Sequence, residues 1–309
     1  MKSVGLWIIL ALAFASSVFG QVTVEVTQAQ QQFLPGEAME VAVRITNRSG
    51  QPLHLGAEED WLTFSIDSRD GVVVPKLADP PVAGEFVLES SKVAIKRVDL
   101  APYFSLTMPG RYQILATAHI TDWKRDVTSF PKPFDLIEGS KLWEQEVGMP
   151  KSSPDTNAVP EVRRFILHQA NYLKGQLRLY LRVTDAVGRA IKVFPVGPMV
   201  SFSRPEPQVD RFSNLHLLYQ NLPHSYSYTV CDLNGDITIR RTYDYVTTRP
   251  RLRVNDDGEI TVAGGSRRVT SNDVPTPTEE ELSAPPSPPA ESAGPTNKSD
   301  KVTDPKKKK

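Results

Sequence analysis

The stretch TVCDLNGDITI, residues 229–239, holds the only cysteine of a 309-residue chain and sets Asp232, Asn234 and Asp236 at alternate positions beside it. Such residue types suit a reactive thiol, a calcium loop or the turn of a hairpin. A calcium loop of this spacing wants glycine after its third ligand and a glutamate further on. Here Ile237, Thr238 and Ile239 follow Asp236, a β-run that carries the oxygens apart. Asn234-Gly235 is a preferred two-residue hairpin turn, because both residues tolerate positive φ. Folding about it pairs Val230 with Ile239 and Cys231 with Thr238. Tyr226, Tyr228, Val230, Ile237 and Ile239 then face the core. Cys231 shares the other face with Thr229, Thr238, Arg240 and Thr242. A neighbouring arginine lowers a thiol pKa, but no histidine is placed to act as base, so no catalytic role is assigned.

Other chemistry is scarce. The chain has no His-Glu-x-x-His helix, no Cys-x-x-Cys pair, no phosphate-binding glycine loop and no Gly-x-Ser-x-Gly elbow. Its histidines, His54, His119, His168, His216 and His224, lie too far apart in sequence to form a local metal pair. A surface or satisfied structural role is expected for each, with His119 pointing outward and His216 on the face opposite Leu215 and Leu217. No metal and no cofactor are expected. A glycosidase pair of carboxylates cannot be picked from 36 acidic residues. The aromatic platforms of a glycan binder reduce to Trp61, Trp123 and Trp143 after residue 20.

Period-two alternation positions these residues. Val22, Val24 and Val26 alternate with Thr23, Glu25 and Thr27, and Met39, Val41, Val43 and Ile45 with Glu40, Ala42, Arg44 and Thr46. Tyr112 to Ile120 repeats the pattern, and turn residues punctuate it, which predicts an antiparallel sandwich over 21–140. LTMPGRYQILA resembles the E–F corner of immunoglobulin-like domains. The resemblance implies a corner hydroxyl at Tyr112 bonded to the backbone upstream. Where that family often has a disulfide, this chain has Val43 and Ile114 to fill the core. One loop of the sandwich carries Asp122, Trp123, Lys124 and Arg125. A tryptophan beside two cations has the make-up of a binding site; the other reading folds Trp123 back over the open end of the core.

The second part of 141–162 is rich in Pro, Ser, Asp and Asn, a linker composition. Over 163–268, GQLRLYLRVTDAVGRAIKV and SNLHLLYQNLPHSYSYTVCDLNGDITI share an order of strand, Asp-x-x-Gly turn and strand. VNDDGEITVAGG from Val254 also lines up with VDRFSNLHLLYQ from Val209. That spacing of roughly 45 residues resembles propeller blades. Too few units are present for a closed propeller, so a small antiparallel β-domain with blade-like repeats is expected. Residues 269–309 are Pro, Ser and charge, a disordered composition ending in four lysines.

Residues 1–20 read as a signal peptide: Lys2, an apolar run over 4–15 too short to span a bilayer, and Val18 and Gly20 before a cleavage site. The expected fold class is therefore all-β: an immunoglobulin-like sandwich, a small antiparallel domain and a disordered tail, exported to the periplasm or beyond. With 36 basic and 36 acidic residues the net charge is zero, which argues against nucleic acid as partner. One cysteine forms no internal disulfide and leaves a Cys231-linked homodimer open. No transmembrane segment is expected after signal removal. The expected function is non-catalytic binding or scaffolding of a protein or polysaccharide. The alternatives are an envelope glycan or peptide hydrolase with carboxylates between the two β-domains, and a secreted inhibitor or chaperone acting by strand addition.

Overall fold

The alternating valines of the first strand point inward, as their period requires, and the same rule builds most of the chain. The computed structural model describes residues 22–71, 73–149, 161–173 and 175–279. The expected signal segment and most of the expected tail lie outside them. The fold is all-β, in sheets that are antiparallel but for one short parallel pair, and its described helices are single 3-10 turns at Ala101–Tyr103 and Thr121–Trp123. Among the described residues no helix is long and apolar enough to cross a membrane.

The first strands are β1 (Val22–Gln28), β2 (Gln32–Phe33), β3 (Glu40–Asn47), β4 (Leu53–Leu55), β5 (Leu62–Ser68), β6 (Phe86–Leu88), β7 (Val93–Asp99), β8 (Gly110–Ile120), β9 (Arg125–Thr128) and β10 (Lys132–Leu136). One sheet runs β1-β3-β7; the other runs β2-β10-β8-β5, with β9 also on β8, and β4 pairs β6 apart from both. β2 lies parallel to β10 while β1 lies antiparallel to β3, so the first stretch of chain serves both sheets. Val24, Val43 and Ile45 of one sheet and Phe64, Ile114 and Phe134 of the other share a single core, which makes the pair a sandwich. Val43 and Ile114 are fully buried in the middle of that core. Each such aliphatic side chain contributes on the order of 1.5–3 kcal/mol by leaving water. The Tyr112 hydroxyl donates to the Met108 carbonyl at 2.7 Å, closing the corner that its sequence resembles.

The chain continues through β11 (Ser140–Gly148), β12 (Val162–Tyr172), β13 (Gln176–Asp185) and β14 (Ala190–Pro198), a sheet in that order. Strand β11 thus occupies the start of the expected linker 141–162, because Val147 inside it is apolar enough to be buried; the Pro- and Ser-rich remainder is mostly outside the described residues. Next come β15 (Glu206–Val209), β16 (Leu215–Leu222), β17 (Ser225–Cys231), β18 (Ile237–Asp244), β19 (Arg251–Val254), β20 (Ile260–Ala263) and β21 (Ser266–Arg268). Their sheet runs β15-β16-β17-β18-β21, and β19 and β20 form a separate hairpin. The chain divides into two compact units, one holding residues up to Glu144 together with Ile166–Val196, the other Gln145–Phe165 and everything from Gly197 on. Those limits differ from a break at 141–162. Folded structure also passes the expected start of the tail at 269: Asp273 is buried and ion-paired with Arg267, and Val274 bridges to Arg240.

The 229–239 hairpin corrects one register. Val230 pairs Ile239 as expected, but a bulge then sets Cys231 opposite Ile237 rather than Thr238. The cause is the turn. The Asp232 amide donates to the Asp236 carbonyl and the Gly235 amide to the Asp232 carbonyl, each at 3.0 Å. That makes a three-residue loop ending in Gly235 at φ 81°, a type I turn with a glycine bulge. Ile237 therefore leaves the tyrosine face. Both faces of β17 are buried, and Cys231 is fully so. A second chain's thiol cannot reach it without opening the strand, which removes the footing for a Cys231-linked homodimer.

Tyr112→Phe is expected to cost about 1 kcal/mol, the net value of one hydrogen bond, read as a lower urea midpoint at unchanged slope; an unmoved midpoint would discount the corner bond. Iodoacetamide added to the native chain should leave Cys231 unlabelled until urea unfolds it. Rapid native labelling would contradict its burial.

Candidate functional site

Four hairpin turns of the C-terminal half share one piece of chemistry. An Asp or Asn side-chain oxygen accepts the amide four residues on: Asp185 from Arg189 at 2.8 Å, Asp210 from Asn214 at 2.8 Å, Asp232 from Asp236 at 2.8 Å and Asn255 from Glu259 at 2.7 Å. The backbone closes each in the same way, with the fourth residue's amide on the first residue's carbonyl. That fourth residue needs positive φ. It is Gly188, Gly235 and Gly258 in three turns, and Ser213 at φ 66° in the other. The Ser213 hydroxyl donates to the Gly148 carbonyl at 3.0 Å, which helps hold a conformation that an L-residue adopts only at a cost. Asp232 Oδ1 is given to its own turn, accepting the Asn234 and Asp236 amides. Among the described residues no cluster of three or more His, Cys, Asp or Glu side chains could hold a metal ion.

The sequence repeat at Val209 and Val254 is the repeat of two of these turns, and they flank one cleft. The cleft, of about 370 Å³, is lined by residues of the Asp210 turn, by Gly258 to Val262 after the Asn255 turn, and by His216, Tyr228, Ile239, Arg241 and Tyr243 between them. Cross-strand register explains the grouping. His216 lies opposite Val230, which lies opposite Ile239; Leu218 lies opposite Tyr228, and Tyr228 opposite Arg241. Residues directly opposite share a face, so the tyrosine face and His216 look the same way. Leu252 and Ile260 of the β19–β20 hairpin pack on that face with Leu218, Tyr226, Tyr228 and Val230.

At the cleft floor lies a chain of polar groups. The Asp210 Oδ2 atom is 3.2 Å from His216 Nε2, and His216 Nδ1 is 2.7 Å from the Tyr228 hydroxyl. Asp210 Oδ2 also accepts from Asn214 Nδ2 at 3.0 Å, while Oδ1 accepts the Phe212 and Asn214 amides at 2.8 Å. Burial works against this carboxylate's charge, but the bonds from Asn214, His216 and Phe212 outweigh it and hold the pKa below the ordinary aspartate value. An ionised carboxylate only accepts, so Nε2 carries a hydrogen toward it; the Tyr228 hydroxyl, bonded to Nδ1, also lies 3.5 Å from the Ile260 carbonyl. Burial, with Tyr243 adding to it, pushes the Tyr228 phenol up to about 12. Tyr228 meets Tyr243 edge-on, ring centroids 6.5 Å apart.

The rim is different. Arg211 and Arg241 line the cleft and are exposed, and among the described residues neither makes an ion pair. The Arg211 guanidinium lies 4.8 Å from the centroid of the Phe212 ring, which is 60% exposed. Glu259, across the cleft, is also exposed. A cleft of about 410 Å³ in the other unit is lined by Glu37 and Arg182, both tied into bonds within the fold. Its Glu37 carboxyl, raised in pKa by burial, accepts from the Leu34 amide at 2.8 Å and Gln30 Nε2 at 2.5 Å, and its Arg182 donates to the Pro35 carbonyl at 2.7 Å.

The sequence-predicted loop lies elsewhere, on the sandwich. Trp123 ends a 3-10 turn, is half-buried and packs on the sandwich core. Lys124 takes the left-handed conformation at φ 50°, and Arg125 begins β9; both are exposed. Asp122 is held below the usual carboxylate range by the His54 amide and ring. Beside them His119 bonds Asp126 at 2.6 Å, which raises its pKa. Trp61 is buried with its indole N–H on the Val82 carbonyl at 2.8 Å, so it offers no platform. Asp210, Arg211, Phe212 and Arg241 carried no sequence signal beyond the aligned turns.

A carboxyl with a depressed folded pKa adds stability above its unfolded pKa and loses it as pH falls through the folded value. Asp210→Asn keeps an Asx oxygen for the turn, as Asn255 does, but removes that titration. Urea midpoints of wild type should fall more steeply than those of Asp210→Asn below about pH 4. Parallel curves would mean that the Asp210 charge is not what binds the floor together.

The sequence matches no protein-family model and no curated protein. Among solved structures it resembles the sporulation control protein Spo0M of Bacillus subtilis at 10% identity, over 55% of this chain and 83% of that one, with a TM-score of 0.29. A likeness that slight carries no argument about what this chain does.

Proposed function

We propose that this chain is an exported, non-catalytic binding or scaffolding protein of the cell envelope or extracellular space. Its N-terminal part is an immunoglobulin-like sandwich, and it takes its ligand in the cleft between the Asp210 and Asn255 turns. The sandwich reading draws support from a first stretch shared between two sheets and from the Tyr112 corner bond. The export reading draws support from the apolar leader before Gln21.

The observation that carries the binding reading is that the polar groups of the cleft floor satisfy one another. Both His216 nitrogens are engaged, and the Tyr228 proton is held far above neutral pH. A general base needs a free lone pair, and with both ring nitrogens of His216 engaged this floor offers none to a third molecule. The rim side chains, in contrast, are available. A small volume with aromatic walls and a few polar groups suits one recognition element of a protein or polysaccharide partner.

The test pairs binding with turnover. The purified chain is applied to glycan and peptide arrays and incubated with the same compounds in solution. Wild type should retain a ligand and return it chemically unchanged, and the Phe212→Ala, Tyr243→Ala double variant should lose it at least tenfold, the scale of one or two lost aromatic contacts. Product formation would replace binding with catalysis. Retention by the double variant would move the site away from this cleft.

A further inference from the structure

The rim of the same cleft points to the chemistry of its occupant, on the footing that the cleft is the binding site proposed for this chain. Arg211 and Arg241 stand on two different elements, the Asp210 turn and β18, and line one cleft. A planar guanidinium recognises carboxylates through paired N–H donors. The carboxylate that shares the cleft lining on the same turn, Asp210, is already engaged: both its oxygens serve Asn214, with Phe212 on one and His216 on the other. Glu259, on the facing turn, accepts from Asn255 Nδ2 at 3.4 Å and forms no ion pair with either arginine. It places one negative charge at the mouth, which favours a single carboxylate over a densely charged anion such as a phosphate cluster.

The walls add a second requirement. Phe212 is exposed, Tyr243 is half-buried, and Ile239 and Val262 complete an apolar lining. The Arg211 guanidinium lies over one face of the Phe212 ring, and the ring, 60% exposed, keeps further surface for the apolar face of another ring. A volume of about 370 Å³ lies at the small end of ligand sites, enough for one ring and not for an extended segment. A carboxylate borne on a ring meets both requirements, whereas an aspartate or glutamate side chain of a peptide meets only the first.

We infer that the cleft binds a uronic-acid unit of an acidic polysaccharide, its carboxylate between Arg211 and Arg241 and its ring against Phe212 and Tyr243. The unit binds as it is; no bond is made or broken. The chain's zero net charge leaves this recognition local, so affinity falls with added salt less steeply than for a basic surface spread over many contacts.

Calorimetric titration of the full chain tests it with four probes: galacturonate, its neutral counterpart methyl galactoside, polygalacturonate and polyglutamate. Galacturonate and polygalacturonate should bind, and methyl galactoside should bind roughly tenfold or more weakly, the scale of one charge-assisted hydrogen bond. Arg211→Gln and Arg241→Gln should each lose a similar factor for galacturonate. Both residues are exposed, and retained protection of Cys231 from iodoacetamide shows that each variant is folded. Equal binding of the neutral sugar, or no loss in either variant, overturns the role of the arginines while leaving a binding cleft in place. Polyglutamate binding without polygalacturonate makes the partner an acidic peptide and overturns the sugar. If none of the four binds, the uronic-acid inference falls; the binding reading itself falls only if the arrays are also silent.

Discussion

One carboxylate connects the folding of the C-terminal half to its cleft. Asp210 uses Oδ1 to gather the amides of its own turn and Oδ2 to orient His216. The first task is shared with Asp185, Asp232 and Asn255; the second is not. The turn joins β15 to β16 and sets His216 opposite Gln208, while the β16–β17 pairing sets it opposite Val230, on the tyrosine side of the sheet. The ring then meets Tyr228, and Tyr228 fixes the floor on which β20 rests. A buried polar network of this sort is stable when each member has its partner and costly when one lacks it. Here the chain closes on itself, so the floor is rigid and the ligand-facing work is left to the rim.

The sandwich solves a different problem with plainer means. Most of its strands alternate, its core is aliphatic and aromatic, and the Tyr112 hydroxyl closes one corner by its bond to the Met108 carbonyl. Val43 and Ile114 occupy the middle without a cross-link, and the apolar area on both sheets makes that sufficient. Asn47 is the exception. It is fully buried, yet its amide nitrogen donates to the Gln51 and Leu88 carbonyls and its oxygen accepts from Ser49. Those bonds tie the loop after β3 and the end of β6 to the end of β3.

Much of this architecture was legible in the residues. Period-two alternation located β1, β3 and β8, and LTMPGRYQILA located the corner. The alignment of VDRFSN with VNDDGE found two equivalent turns, since Asx oxygens and positive φ leave a mark on residue type. Three things were hidden, each for a physical reason. The bulge at Cys231 came from a loop one residue longer than Asn234-Gly235 suggests, a choice made by the Asp232 side chain. Asp273 looked like tail composition, because an ion pair with Arg267 needs no apolar neighbours in sequence. The cleft itself was out of reach: Arg211, Phe212 and Arg241 are 30 residues or fewer apart in the chain, but only cross-strand register sets them around one space. Trp123 drew attention by composition, and its packing on the core shows how a large ring at a loop end also serves burial.

The sealed position of Cys231 has a consequence for how the chain is made. With a single thiol, there is no internal disulfide to form, and so none to form wrongly. Once β17 is paired on both sides, thiol exchange has no handle on the native state. Folding of the chain then involves no internal disulfide exchange and no disulfide isomerase. The permanence of the fold rests wholly on packing and hydrogen bonds.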